Sequence, residues 1–412
     1  MREQLLRFVI FLSVVTFVLG LGYAFVAMRL SAGFNDSSWK ITIWLIIGFF
    51  LLLTPLTFAF RLITVPESLQ QIVSWISYMA FGFFAMLLTL LVLRDLGFVL
   101  IDQVTSLLQK FRNLNLDGNV LSQDRRQFLL GATNLIMLGT AGGMFGYGLF
   151  RAVSTMDTEH VRVPVKNLPD ALLGFRIVQV TDIHIGPTIK RAFAESIVQR
   201  VNSLKADVVA VTGDVVDGSV EQLRDHTAPF AGFSSTHGTF FVTGNHEYYS
   251  GCLPWLREFA SLGFTALLNE HVVIRHKNAS LMLAGVTDFK GAEFYSDHTS
   301  DPHRAMKNKS DSSHKNGTAN DTIHAKVLLA HQPRSIHGAA DAGFDLQISG
   351  HTHGGQFFPG PYLVKLQQPY VKGLHLHKKK TWIYVSRGTG YWGPPIRVGS
   401  PPEITVIELV RA

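Results

Sequence analysis

One cysteine in 412 residues, Cys252, leaves no partner for an internal disulfide and no thiolate cluster for zinc. Any metal in this chain must be held by oxygen and imidazole. Histidine is absent from residues 1–150, and all 17 histidines lie from His160 onward. The chemistry is therefore sought in the second part. Charged residues make up only 16% of the chain, and the first three long apolar runs contain almost none. That excludes amphipathic surface helices there, because such helices need a polar face. The uneven composition predicts two regions, 1–150 and 151–412. A net charge of +7 suits phosphate-rich or anionic-lipid partners and suits a solvated surface equally well. No nucleic-acid partner is expected.

Four apolar runs reach the length of roughly 20 residues that a bilayer-crossing helix needs. They are Phe8 to Met28, Ile41 to Phe60, Ile72 to Leu93 and Phe128 to Phe150. The fourth is rich in glycine, with Gly139, Gly142, Gly143 and Gly146 at a spacing that suits helix packing. Basic residues cluster between the third and fourth runs, at Arg94, Lys110, Arg112, Arg125 and Arg126, and the first loop carries Arg29 and Lys40. The positive-inside rule puts both loops in the cytoplasm and everything after Phe150 outside, although Arg2 and Arg7 argue the other way. Asp124-Arg125-Arg126-Gln127-Phe128-Leu129 resembles a twin-arginine export signal set inside the chain. Read instead as a basic stop at a membrane boundary, it gives the same sidedness.

From Gly174 onward one pattern recurs: a short β-branched run that ends abruptly in residues with metal-binding side chains. Such runs read as buried strands. Phe175 to Thr181 ends in Asp182-Ile183-His184, and Asp207 to Thr212 ends in Gly213-Asp214. Thr239 to Thr243 leads into Gly244-Asn245-His246-Glu247, Val327 to Ala330 ends in His331, and Leu346 to Ser349 leads into Gly350-His351-Thr352-His353-Gly354. Ligands of layered α/β proteins bind beyond the carboxyl ends of strands, so five such ends describe one site. Carboxylate, imidazole and amide oxygen suit manganese, iron or zinc. Asp-x-His puts two side chains on one side of an extended chain, and His351 and His353 repeat that geometry. Gly213, Gly244, Gly350 and Gly354 allow the backbone to approach an ion or a phosphate closely.

The ordered set D-x-H, G-D, G-N-H-E, a later H and G-H-T-H resembles the calcineurin-like metallophosphoesterase family, over about residues 170 to 412. The bacterial membrane-tethered or exported branch is most similar, through Gly354-Gly355-Gln356, Ser386-Arg387-Gly388-Thr389-Gly390 and Pro401-Pro402-Glu403-Ile404. The resemblance implies a β-sandwich of two mixed sheets flanked by helices, preceded here by the all-α transmembrane region. It implies two divalent metal ions: Asp182, His184 and His353 for one, Asn245, His331 and His351 for the other, and Asp214 between them. Asp217 completes a G-D-x-x-D spacing and is expected to lie behind the ligands. The expected location is a bacterial inner or cell membrane with the catalytic domain extracytoplasmic.

In such a site two cations about 3.5 to 4 Å apart share a hydroxide that attacks phosphorus in line. His246 follows the ligand Asn245 and is the expected general acid for the leaving group, with Asp182 orienting it. Arg387 and Arg397 are candidate phosphate clamps, since guanidinium matches the oxygen geometry; surface or fold-closing arginines are the rival reading. Phe357, Phe358, Tyr391 and Trp392 either rim an acyl or head-group pocket or pack the closing loops. Residues 296–324, polar, charged and nearly free of apolar residues, read as a mobile surface insertion, with sequons at Asn308, Asn316 and Asn320. The expected substrate is a phosphate ester or anhydride on a lipid or envelope-associated molecule. The alternatives are a cytoplasmic-face UDP-diacylglucosamine-type pyrophosphatase, and a transporter or sensor with an auxiliary phosphoesterase domain. A catalytically inactive interaction module is disfavoured, because no ligand position is missing.

Overall fold

The computed structural model describes residues 2–60, 65–112, 123–154, 156–307 and 322–412. It divides into two compact units, Met1–Phe150 with Gly393–Ile396, and Arg151–Trp392 with Arg397–Ala412. The first contains four helices: α1 (Arg2–Ser31), α2 (Ser37–Ala59), α3 (Glu67–Arg112) and α4 (Gln123–Val153). Each holds a stretch long and apolar enough to cross a membrane. Their inner faces meet at Tyr23, Val26, Ile47, Phe84, Leu87 and Ala141. Outward they expose Leu21, Leu45, Leu52 and Ile101, apolar side chains that hydrocarbon covers and water does not.

Helix α3 corrects the expected third span. It runs 46 residues without ending at Leu93, so Arg94, Lys110 and Arg112 lie within a helix and not in a loop. Nor is Arg94 a free charge. Its guanidinium donates to Asp95 Oδ1 and, at 2.6 Å, to Asn134 Oδ1. Asp95 in turn pairs with Arg29 at 2.6 Å. Carboxylate and amide partners let a guanidinium remain among apolar helices, where an unpaired one would be costly. The side chains of Arg2, Arg7, Lys110, Arg112, Arg125 and Arg126 lie outside the described residues.

The second unit is built on twelve strands: β1 (Asp157–Val165), β2 (Arg176–Val180), β3 (Val208–Val211), β4 (Thr239–Phe241), β5 (Phe264–Ala266), β6 (Glu270–His276), β7 (Ala279–Gly285), β8 (Ile323–Leu329), β9 (Leu346–Ser349), β10 (Gly373–His377), β11 (Thr381–Val385) and β12 (Glu403–Arg411). They form two six-stranded mixed sheets, in the orders β1-β12-β2-β3-β4-β5 and β10-β11-β9-β8-β7-β6. In the first, β12 lies between β1 and β2, parallel to β1 and antiparallel to β2. The strands that carry the site, β2, β3 and β4 in one sheet and β8, β9 and β11 in the other, run parallel within their sheets, so their carboxyl ends share an edge.

Why these runs read as unbroken apolar stretches is visible in β2 and β3. Ile177, Val208 and Ala210 face Leu283, Val327 and Ile348 of the other sheet across the central core. The alternate residues Val178, Val180, Val209 and Val211 face a second core, under helices. With both faces buried, period-two alternation leaves few polar positions, and the buried one in β2, Gln179, has its amide donating to the Thr212 hydroxyl and the Ser349 carbonyl. The helices over the first sheet include α5 (Arg191–Ser203), α6 (Val220–Thr227) and α8 (Cys252–Ser261), and the shorter α7 (Asn245–Ser250) caps its site edge. Ile197, Leu223, Trp255 and Phe259 supply their buried faces.

Beyond α9 (Gly291–Phe294), α10 (Pro302–Lys307) and α11 (Ile336–Ala342) cover the second sheet through Ala305, Ile336 and Ala339, and α12 (Gly360–Val364) follows the last site loop. The expected insertion at 296–324 is corrected at both ends. Helix α10 packs with a fully buried Ala305, whose carbonyl accepts from His271 Nδ1 at 2.8 Å. His298 receives the Tyr248 hydroxyl at 2.7 Å, and β8 begins at Ile323. The polar composition concealed these anchors because a few buried contacts suffice to hold a short segment. Asn308, Asn316 and Asn320 lie outside the described residues.

Candidate metal centre

The turns that follow β2, β3 and β9 into the site are strained. Asp182, His184, Asp214, His351 and His353 all adopt positive φ, between 50° and 71°. Left-handed backbone at a residue other than glycine costs on the order of 1 kcal/mol or more and persists where the surroundings impose it, most often at functional sites. Two glycines are required by proximity. A Cβ on Gly244 would strike the Asp214 carboxylate, and one on Gly350 would strike Asp182 and the Thr181 hydroxyl.

The donor groups fall into two adjoining clusters. Asp182, His184 and His353 form one, and Asp214, His331 and His351 the other; each set has its ligand atoms within 4.8 Å of one another. In the first, Nε2 of His184 and Nε2 of His353 are 3.0 Å apart, and Asp182 Oδ1 lies 3.5 Å from His353 Nε2. In the second, His331 Nε2 is 3.2 Å from His351 Nδ1 and 3.1 Å from Asp214 Oδ2. The same Asp214 oxygen is 3.9 Å from His184 Nε2, so it reaches toward both clusters.

Several of these groups are held in the form that binds a cation. His331 Nδ1 donates to the Thr212 carbonyl at 2.8 Å, which points Nε2 into the site. Burial by itself lowers this imidazole, but Asp214 outweighs it and holds His331 well above the usual histidine range, so a cation would displace a proton there. Burial, with His331 beside it, lowers His351 to about 3, and burial with Arg397 beside it holds His353 well below the usual histidine range. Both imidazoles are neutral. Burial alone would raise Asp214, but His331 and His246 outweigh it and keep the carboxyl well below the usual carboxylate range. Asp182 is raised by its burial, with Asp214 adding to the effect. Asn245 Oδ1 is buried and has no hydrogen-bond partner. A buried amide oxygen left unmatched among imidazoles and carboxylates is what an oxygen ligand for a cation looks like before the cation binds.

His246 stands at the edge of the clusters, its Nε2 4.0 Å from Asp214 Oδ2. Its orienting partner differs from the expected one. Asp182 is engaged by the Thr181 hydroxyl at 2.8 Å and the His351 amide at 3.0 Å, whereas His246 Nδ1 forms a short hydrogen bond with Asp217. Asp217 also lies 3.2 Å from His184 Nδ1. Burial by itself lowers His246, but Asp217 and then Asp214 push it up to about 9. The G-D-x-x-D spacing was the signal for Asp217. A residue whose role the motif did not reveal is Glu247, whose buried carboxylate accepts the backbone amides of Asp214, Val215 and Gly244 at 2.7 to 2.9 Å and so fixes two site loops.

The two arginines expected to clamp phosphate do not line the site as free donors. Arg397 is fully buried, and its guanidinium is spent on the carbonyls of His353 (2.7 Å), Ser400 and Gly390. Arg387 pairs with the buried Glu403 and, at 3.0 Å, with Glu159. Both tie the closing loops together, which a motif without distances cannot distinguish from substrate binding. Of the candidate rim aromatics, Tyr391 is buried, while Trp392 is half exposed with its ring 5.6 Å from that of His246. Tyr249, equally exposed, flanks the other side of His246 at 5.4 Å.

Residues 175–355 match the calcineurin-like phosphoesterase family. A metallophosphoesterase of Helicobacter pylori is 33% identical over 381 residues, which covers 90% of this chain and 91% of that protein. A Danio rerio transmembrane protein with metallophosphoesterase domain is 37% identical over 273 residues, 65% of this chain and 60% of the relative. With its matched segment containing all six of the clustered donors and Asn245, and a relative aligned over nine-tenths of its length, the chain belongs to the calcineurin-like metallophosphoesterases, which are metal-dependent phosphoester hydrolases.

Proposed function

We propose that this membrane protein hydrolyses a phosphate ester or anhydride carried by a lipid or envelope-associated molecule, with two divalent cations and His246 as general acid. The observation that carries the reading is the pair of adjoining donor clusters with Asp214 in reach of both. Asp182, His184 and His353 would hold one cation, and Asn245, His331 and His351 the other, with Asp214 shared. The oxygen and nitrogen donors fit manganese, iron or zinc. When bound, such a pair supplies an activated water and neutralises charge on the phosphoryl oxygens.

The chain's own part is orientation and proton delivery. Asp217 accepts from His246 Nδ1 and leaves Nε2 facing the site. As the bond from phosphorus to the leaving oxygen breaks, the Nε2 proton passes to that oxygen, which departs as a neutral alcohol or phosphate. Acid assistance of this kind is worth about 10² to 10⁴ in rate. Four apolar helices in the same chain support a lipid-associated substrate, since helices long enough to cross a membrane would tether the catalytic unit to it. The test is metal analysis of the purified chain, followed by phosphate release from membrane lipid extracts and from water-soluble esters after manganese loading. Release from soluble esters alone would remove the lipid part of the reading, and a chain that binds no divalent metal would remove the whole.

A further inference from the structure

The short helix α12 buries none of its residues, yet it is not a loose segment. Its first turn packs on Gly355, two residues after His353, so closely that a Cβ at Gly355 would strike Pro361. At its base, Gln356 exchanges two hydrogen bonds with the Trp392 backbone, at 2.9 and 3.0 Å. At its far end, Arg334 donates to the Gln367 carbonyl at 2.9 Å, and Gln368 accepts the Arg334 amide. The segment is thus a pinned protrusion, and its top is apolar. Tyr362 is 63% exposed, Leu363 58%, Leu366 82%, and Phe358 also stands out. Lys365 lies over the Tyr362 ring at 5.9 Å, and the exposed Arg334 lies over Phe289 at 5.4 Å.

We propose that this protrusion is a lipid-surface docking face, with Phe358, Tyr362, Leu363 and Leu366 entering the bilayer interface and Lys365 and Arg334 meeting anionic headgroups. Aromatic and aliphatic side chains beside lysine or arginine are the composition that binds at the boundary of headgroups and acyl chains. The tether favours lipid over a protein partner. Helix α4, apolar enough to span a membrane, ends at Val153, and β1 begins at Asp157. At no more than about 3.6 Å per residue, so short a link keeps the catalytic unit at the membrane surface. The face is continuous with the mouth of the site, through Gly355 on one side and Trp392, beside His246, on the other. A substrate carried in the bilayer would therefore enter without leaving the lipid surface. Only this last consequence rests on the proposed lipid-borne substrate.

The test uses the full chain in phosphatidylcholine and phosphatidylglycerol nanodiscs. Cys252 is fully buried, so Leu366→Cys and Lys379→Cys each present one accessible thiol for an environment-sensitive fluorophore. Lys379 sits in the turn between β10 and β11, at the opposite end of the second sheet from the site. The expected result is that spin-labelled lipid quenches the probe at Leu366→Cys and aqueous iodide does not, with the reverse at Lys379→Cys. Iodide quenching at both positions would overturn the proposal. So would protection at Leu366→Cys from both quenchers, which would mean a second copy or another protein covers the face. A Leu363→Asp, Leu366→Asp double variant should lose about tenfold in kcat/KM on a phosphoester held in the nanodisc and nothing on a soluble aryl phosphate. An equal loss on both would overturn the docking role. Absence of turnover on any bilayer-held phosphoester, with lipid quenching intact, would sink the lipid-substrate reading and leave the docking face standing.

Discussion

The Asp217 carboxylate is hydrogen-bonded to Nδ1 of His246, three residues beyond the carboxylate that faces both donor clusters. A second oxygen of the same group lies 3.2 Å from Nδ1 of His184. One side chain thus orients both a candidate ligand and the candidate acid, and the two roles separate experimentally. For Asp217→Asn we expect metal affinity to weaken about 10- to 100-fold, as for other partners that orient a metal-binding histidine. At saturating manganese the residual defect should be confined to esters with poor leaving groups. A leaving-group dependence identical to that of the unmodified chain would remove Asp217 from proton delivery.

His246→Ala should keep its metal, because His246 belongs to neither of the clusters Asp182, His184, His353 and Asp214, His331, His351, only to a third group with His184 and Asp217. Its turnover should fall by about 10² or more on alkyl esters and far less on activated aryl phosphates, whose leaving groups need no proton. The measurement is kcat across esters of graded leaving-group acidity. An equal fall on all of them would show that His246 is not the acid.

Asp214→Asn and His351→Ala each remove a donor from the second cluster. Both variants are expected to fold, to lose one or both cations by elemental analysis, and to lose nearly all activity. Full metal content with normal turnover in either would defeat the two-cation assignment.

Arg397→Met should destabilise the catalytic unit by about 3 kcal/mol, since several buried carbonyls would lose a charged donor. The readout is thermal or denaturant unfolding, compared with KM on any turned-over ester. A raised KM at unchanged stability would restore the phosphate-clamp role that the buried geometry argues against.

How far the sequence alone reached depended on whether a feature was local. Asp182, His184, Asp214, Asn245, His331, His351 and His353 were legible because each sits at the abrupt end of a β-branched run, and strand ends converge in layered folds. The four apolar helices were legible from length and composition. What was hidden depended on distance between remote segments. Arg387 and Arg397 have the right chemistry for phosphate, and only their ties to Glu403, Glu159 and the His353 carbonyl show where their donors are spent. Likewise, the continuation of α3 past the expected span was not visible at Arg94, whose partners Asn134 and Asp95, with Arg29 behind them, make a charged helical position tolerable.

Which side of the membrane holds the site divides the substrate classes, and a reporter fused after Ala412 tests it. The basic residues between the third and fourth apolar runs favour an extracytoplasmic catalytic unit, so a reporter active only after export should be active. An inactive export reporter, with a cytosolic reporter active at the same junction, would favour a UDP-diacylglucosamine-type pyrophosphatase on the cytoplasmic face.

The position of β12 sets a schedule for synthesis. Gln179 of β2 pairs with Thr405, and Val163 of β1 pairs with Leu409, so two strands made at the start of the catalytic unit wait for one made at its end. Until the ribosome has delivered β12, the first sheet lacks a central member, and the edges of β1 and β2 remain open to wrong pairing. Folding of this unit therefore waits for β12. During synthesis the apolar strands are exposed, and a nascent chain stalled a few residues before Glu403 should be sensitive to protease throughout residues 157–180, while a chain that includes β12 resists.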